Sequence, residues 1–107
     1  MTPREKEILT LIEDRIKRKD PSAQIVLFGS HATGNATENS DWDLLILISA
    51  PKTTREIEKI YRDELFEIEL EIEEPISSII FNQKDWESRF SSTPLYLNIK
   101  KEGIYLA

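Results

Sequence analysis

Apolar positions recur at helical spacing over residues 3–18, where Ile8, Leu9, Leu11, Ile12 and Ile16 share one face. Thr2 before Pro3 provides a cap and a first-turn proline, and Asp20-Pro21 stops the helix. Gln24–Phe28 is a short apolar run closed by Gly29, the pattern of a buried strand. Ser30–Thr37 is small and polar, a loop with room for one helical turn. The strand predicted over Asp43–Ser49 contains Leu44, Leu45, Ile46, Leu47 and Ile48 in succession. An unbroken run of that kind predicts cover on both faces. Pro51 ends it, and Thr53 or Thr54 caps a second long helix in which Ile57, Ile60, Tyr61, Leu65 and Ile68 keep helical spacing. From Phe66 the pattern changes. Phe66, Ile68, Leu70 and Ile72 alternate with Glu67, Glu69, Glu71 and Glu73. Alternation is a strand signature, whereas Glu and Leu favour helix; the helix is expected to end near residue 70. Pro75 leads into a strand over Ile76–Phe81, and Gln83–Phe90 and Pro94–Gly103 read as two short helices.

The order is helix, strand, loop, strand, helix, strand, helix, helix. It predicts an α/β or α+β domain, a small sheet with helices packed on it. At 107 residues the chain is expected to form one domain, residues 1–107.

Composition narrows the chemistry. There is no Cys, which excludes disulfides, thiol nucleophiles and thiolate metal sites within the chain. The single His, His31, excludes a multi-histidine metal site in one chain. The 20 acids and 14 Lys/Arg give a net charge of -6, which opposes non-specific nucleic-acid coating. The excess is local: residues 63–74 hold seven acids and no base. That run reads most simply as a solvated face. The Arg15, Lys17, Arg18 and Lys19 cluster reads as a solvated helix end favoured by the helix dipole, with a phosphate-contacting patch as the alternative. No apolar run approaches a membrane span and no signal-peptide pattern opens the chain; a cytoplasmic location is expected.

The informative segment is Phe28-Gly29-Ser30-His31-Ala32-Thr33-Gly34, followed by Ser40-Asp41-Trp42-Asp43. Gly29 at a strand end lets backbone approach a ligand closely, and Ser30 opens a turn whose amides and hydroxyl suit an anion such as phosphate. Asp41 and Asp43, two apart at a strand start, face the same way. Two carboxylates beside a phosphate cradle are hard oxygen ligands for Mg²⁺. Trp42 points to the opposite face and is assigned to the core. Trp86 and Tyr96 anchor the C-terminal helices, and Asn35, Asn39 and Ser40 supply turn chemistry. His31 could reach a phosphate from the loop, but it is read in preference as a loop histidine without a chemical role.

Gly29-Ser30, followed eleven residues later by Asp41-Trp42-Asp43, resembles the signature of the DNA polymerase β-like nucleotidyltransferase superfamily. The small size is similar to its minimal members. Thr93-Pro94-Leu95-Tyr96 through Lys101-Glu102-Gly103 also resembles their ending. The resemblance implies a palm-like fold, a small mixed sheet flanked by helices. It also implies metal-dependent transfer of a nucleoside monophosphate from an NTP, ATP first, to a hydroxyl. Gly29, Ser30 and Ser40 would contact the nucleotide, and Asp41 and Asp43 would hold Mg²⁺ or Mn²⁺.

Two positions depart from the pattern. Thr33 stands where the family's Gly-Ser-x-Ala-Arg-Gly has Arg, and a hydroxyl does not replace a guanidinium. The strand that usually carries a third carboxylate reads Ile76-Ser77-Ser78-Ile79-Ile80-Phe81, without an acid. If residues 66–73 form a strand, Glu67, Glu69 or Glu71 supplies the third ligand; if they form helix, the acid set is incomplete.

So small a chain has little surface for a second substrate, so the acceptor is expected to be a small molecule or, in preference, a partner protein. Two other readings stand beside transfer. One is an antitoxin-type binding module that neutralises a helical HEPN-family ribonuclease toxin, its acidic face covering a basic surface. The other is a nucleotide-binding relic. A homo-oligomer is compatible with each.

Overall fold

The computed structural model describes residues 1–106. In chain order the elements are α1 (Pro3–Lys19), β1 (Gln24–Phe28), α2 (Ser30–Thr33), β2 (Trp42–Ile48), α3 (Arg55–Ile72), β3 (Ile76–Asn82), α4 (Gln83–Ser88), α5 (Pro94–Glu102) and β4 (Ile104–Tyr105). The sheet order is β3-β2-β1-β4. β1 runs antiparallel to β2 and β4, whereas β2 and β3 are parallel, so the sheet is mixed. Among the described residues no helix is long and apolar enough to cross a membrane.

The apolar run of β2 is covered on both faces, as its pattern requires. Leu44–Ile48 are at most 1% exposed. Trp42, Leu44, Ile46 and Ile48 face one layer, in which Ile8, Ile12 and Ile16 of α1 meet Leu65, Ile68 and Ile72 of α3. Leu45 and Leu47 face the other, with Trp86 of α4 and Ile99 of α5. Each buried Leu or Ile contributes roughly 1.5–3 kcal/mol. Trp86 sits against Phe81 and Tyr96, with ring centroids 5.4 and 5.1 Å away, which fixes the two short helices on the sheet.

The caps explain the helix starts. Thr2 and Glu5 form a reciprocal capping box with Pro3 at the first position. Thr54, rather than Thr53, caps α3 through the Ile57 amide. The predicted bounds shift by a residue at β2 and β3, and α4 stops at Ser88. One element was not expected: after Gly103 the chain adds β4 to the free edge of β1, pairing Leu27 with Ile104.

The larger correction concerns residues 66–73. They do not form a strand: α3 continues to Ile72 and closes at Glu73, a non-glycine residue at φ 57°. A period of two also contains every i, i+4 pair, and here the helical pairs decide. Ile68 and Ile72 are buried one turn apart, while Phe66 and Leu70 are exposed one turn apart. Arg15 of α1 holds the glutamates in place: its Nε donates to buried Glu64, Nη2 lies 3.2 Å from Glu67 and Nη1 lies 2.9 Å from Glu71. Glu69 instead accepts the Ile76 amide at 2.6 Å, tying the end of α3 to the start of β3.

Arg15 is therefore a packing residue. Removing it leaves buried Glu64 with only Lys19, 3.9 Å away, as a cation partner, which costs up to about 3–5 kcal/mol. Arg15→Leu is expected to lower unfolding free energy by about that amount in urea titrations, and Arg15→Leu/Glu64→Leu to recover most of the loss.

Candidate active site

The candidate site lies at one end of the sheet, where β1 ends and β2 and β3 begin. Phe28 pairs with Asp43 across the β1–β2 ladder, and Asp43 is in register with Ser77 across β2–β3. Asp41 stands two residues earlier, at the mouth of β2. The Ser77 hydroxyl donates to Asp41 Oδ2 at 3.2 Å. Asp41, Asp43 and Ser77 thus share one face, and Trp42, fully buried, points to the other.

Gly29 joins the phosphate-type turn to this group. Its φ of 73° and ψ of -158° belong to a region that essentially only glycine occupies. A Cβ built there would overlap Asp43 Oδ2 and lie 3.0 Å from Asp43 Cγ. The turn and the carboxylate therefore fit only because residue 29 has no side chain. Ser30 opens α2, where the first amides of a helix have no intrahelical acceptor. Ser40 closes the turn before Asp41: its Oγ accepts the Thr37 amide at 2.8 Å. The same Oγ lies 3.4 Å from Thr37 Oγ1. Thr33, at the position of the missing arginine, turns back on its own helix, with Oγ1 3.4 Å from the carbonyls of Gly29 and Ser30.

Burial, and then the neighbouring Asp41 charge, push the Asp43 carboxyl above the usual carboxylate range; His31 opposes them. Two carboxylates sharing a face in this way favour either a shared proton or a cation. Among the described residues no three Asp, Glu or His side chains gather as a metal site. Glu67 and Glu71 lie with Arg15, and Glu69 caps β3, so none of these three joins Asp41 and Asp43. Ser77, a neutral hydroxyl, stands beside the pair instead. The donor set suits a hard divalent cation with two protein carboxylates and its remaining positions open to water and phosphate oxygens.

His31 differs from its expected place. It is 7% exposed and stacks on Trp42, with ring centroids 3.7 Å apart and planes 7° apart. Its Nδ1 lies 3.3 Å from Glu5 Oε2, and its Nε2 is buried without a protein partner among the described residues. Glu5 is held below the usual carboxylate range by the Thr2 amide and then by His31. Nδ1 therefore donates to an ionised Glu5. Trp42 in turn donates through Nε1 to Glu74 at 3.1 Å, and Arg4 reaches Glu74 at 2.9 Å. This chain of contacts ties the start of α1 and the end of α3 to the turn and strand that carry the candidate site. Nothing periodic marks a residue in a four-residue helix, which is why sequence reading missed it. The basic end of α1 does not approach the site: Lys17 donates to Pro21 and Arg18 pairs with Asp14.

The sequence profile of the nucleotidyltransferase domain family matches residues 9–106. The chain belongs to that family. A Methanocaldococcus jannaschii protein named as a protein adenylyltransferase is 39% identical over 57 residues, 53% of this chain. The match spans about half of that relative, 52% of its length. The crystal structure of a toxin–antitoxin with AMP-PNP superposes with a TM-score of 0.68, covering 92% of this chain and 72% of that one. At 20% identity this likeness establishes the fold, and the mixed sheet flanked by helices agrees with the palm-like expectation.

Gly29→Ala is expected to cost about 1–3 kcal/mol and to displace the Asp43 carboxylate, read by urea unfolding and by the Asp43 carboxyl resonance. Asp41→Asn removes a like charge, so the Asp43 carboxyl is expected to titrate at lower pH in the same NMR experiment.

Proposed function

We propose that this chain transfers a nucleoside monophosphate from an NTP, with ATP the first candidate, to a hydroxyl on a partner protein. The observation that carries the reading is the seating of Asp43 directly over Gly29, which brings the carboxylate of β2 against the phosphate-type turn. Family membership supports it, as do the relative's name and the AMP-PNP of the structural neighbour.

In this reading the amides and hydroxyl at Gly29–Ser30 bind the triphosphate, and Ser40, beside Asp41, adds a hydroxyl. Asp41 and Asp43 hold a divalent cation, Mg²⁺ or Mn²⁺, which supplies charge neutralisation and Lewis acidity when bound. The acceptor oxygen attacks the α-phosphorus, its bond to the β-phosphate oxygen breaks, and pyrophosphate leaves. The hydroxyl proton needs an acceptor. Ser77 is no base and Asp41 and Asp43 are engaged with the cation, so the proton passes to water. Thr33 offers no cation to the leaving phosphates, which favours slow turnover.

Ser77 also favours a second reading. A chain that binds nucleotide but turns it over poorly acts as an antitoxin-type module, neutralising a HEPN-type toxin by forming a complex. Under this reading the product of an adjacent reading frame is the natural partner to test.

The test is transfer of labelled ATP in Mg²⁺ or Mn²⁺, with and without a HEPN-type partner. Asp41→Asn/Asp43→Asn is expected to abolish transfer; label incorporated by that variant overturns the assignment. Ser77→Asp restores a third carboxylate and is expected to raise the rate by about 10²-fold, the lower range for a placed general base. Complex formation without transfer in any variant selects the second reading.

A further inference from the structure

Ser77 is an exposed residue on the face that carries both carboxylates. Its hydroxyl donates to Asp41 Oδ2 at 3.2 Å and, among the described residues, bonds to nothing else. Strand order gives that hydroxyl a side. Across this end of the sheet come the Gly29 turn after β1, the acid pair on β2 and then Ser77 on β3. Neighbouring strands lie about 4.8 Å apart, so the turn and Ser77 flank the carboxylates from opposite sides.

Displacement at phosphorus places the attacking and leaving oxygens in line, on opposite sides of the phosphorus atom. With a triphosphate held at Gly29–Ser30 and its α-phosphate over the acid pair, pyrophosphate leaves toward the turn. The attacking oxygen then approaches from the β3 side, where Ser77 stands. The neighbouring hydroxyls are placed differently. Ser30 and Thr33 belong to the turn, the leaving side, and Thr33 Oγ1 is directed at the carbonyls of Gly29 and Ser30. Ser40 Oγ accepts the Thr37 amide. Ser78 faces the other side of the sheet, where Arg62 donates to its Oγ at 3.1 Å.

We propose that Ser77 is itself a nucleotidyl acceptor, so that the chain modifies itself once, at this position. The proposal rests on the nucleotidyl-transfer reading. Ser77 Oγ forms a bond to the α-phosphorus of an NTP, and the bond from that phosphorus to the oxygen bridging to the β-phosphate breaks. Pyrophosphate leaves, and the hydroxyl proton passes to water. The product is a phosphodiester between Ser77 and the nucleoside monophosphate, formed without oxidation or reduction. A serine hydroxyl is a weak nucleophile when dissolved, but one oriented beside the reacting phosphorus makes the step unimolecular. A carboxylate at position 77 would be a cation ligand; the hydroxyl in its place is an acceptor.

The full chain, with no partner present, is incubated with ATP and Mg²⁺ or Mn²⁺ and read by intact and tandem mass spectrometry. The expected result is a gain of at most one adenylate per chain, located on Ser77. Ser77→Ala is expected to lose the adduct and still bind Mg²⁺-ATP in calorimetry, and Ser78→Ala to keep the adduct. A second readout needs no turnover. With Mg²⁺ and α,β-methylene-ATP, whose bridge resists cleavage, the Ser77 Cβ resonance is expected to shift more than that of Ser78. Three results overturn the proposal: an adduct on another residue, a Ser77 left bare in a chain that binds Mg²⁺-ATP, or a Ser77 Cβ unmoved by the analogue. Label on an added partner protein with Ser77 bare removes self-modification and leaves the transfer reading standing. A chain that binds no Mg²⁺-ATP and labels neither itself nor a partner removes both.

Discussion

The structure depends on β2 being apolar on both faces. A strand with Leu44–Ile48 unbroken cannot border solvent on either side. Two layers must form: α1 and α3 on one face, α4 and α5 on the other. Strands must also flank it, because its backbone groups need partners away from water. β1 and β3 supply them. Asp41 and Asp43 stand at the start of this strand. They inherit its rigidity, and their neighbours are set by its register: Phe28 on one side and Ser77 on the other.

That register produces a site defined by one clash avoided and one acid absent. Glycine at position 29 allows Asp43 to sit over the turn, so the carboxylate and the turn lie in contact. Serine at position 77 stands on the shared face and carries no charge. None of the surplus charge of the chain joins the acid pair. Residues 63–74 hold it, and α3 divides it by facing: Glu64, Glu67 and Glu71 turn to Arg15, Glu69 caps β3 and Glu74 receives Trp42. What remains outward is Asp63, paired with Lys59, the exposed Glu73, and two exposed apolar side chains, Phe66 and Leu70.

Much of this was legible in the residues. The long helices, the three principal strands and the turn at Ser30 follow from spacing and stop residues, and the opposed directions of Trp42 and Asp43 follow from strand geometry. The failures have physical causes. Residues 66–73 carry a pattern consistent with both periods, and only the long-range partner Arg15 and the buried Ile68–Ile72 pair select helix. β4 is two residues long and depends on the free edge of β1, which no local pattern reveals. His31 looked idle because its roles are tertiary: a stacked ring on Trp42 and a hydrogen bond to Glu5, 26 positions away in the chain.

The central claim is that two aspartates at the head of β2, and no glutamate of α3, hold the metal–nucleotide complex. Paramagnetic broadening by Mn²⁺ with ATP tests it directly on the assigned amide spectrum. The expected result is selective loss of the Gly29, Asp41, Asp43 and Ser77 signals, with Glu67 and Glu71 unaffected. Broadening centred on Glu67–Glu71, or an unchanged pattern in Asp41→Asn/Asp43→Asn, would contradict it.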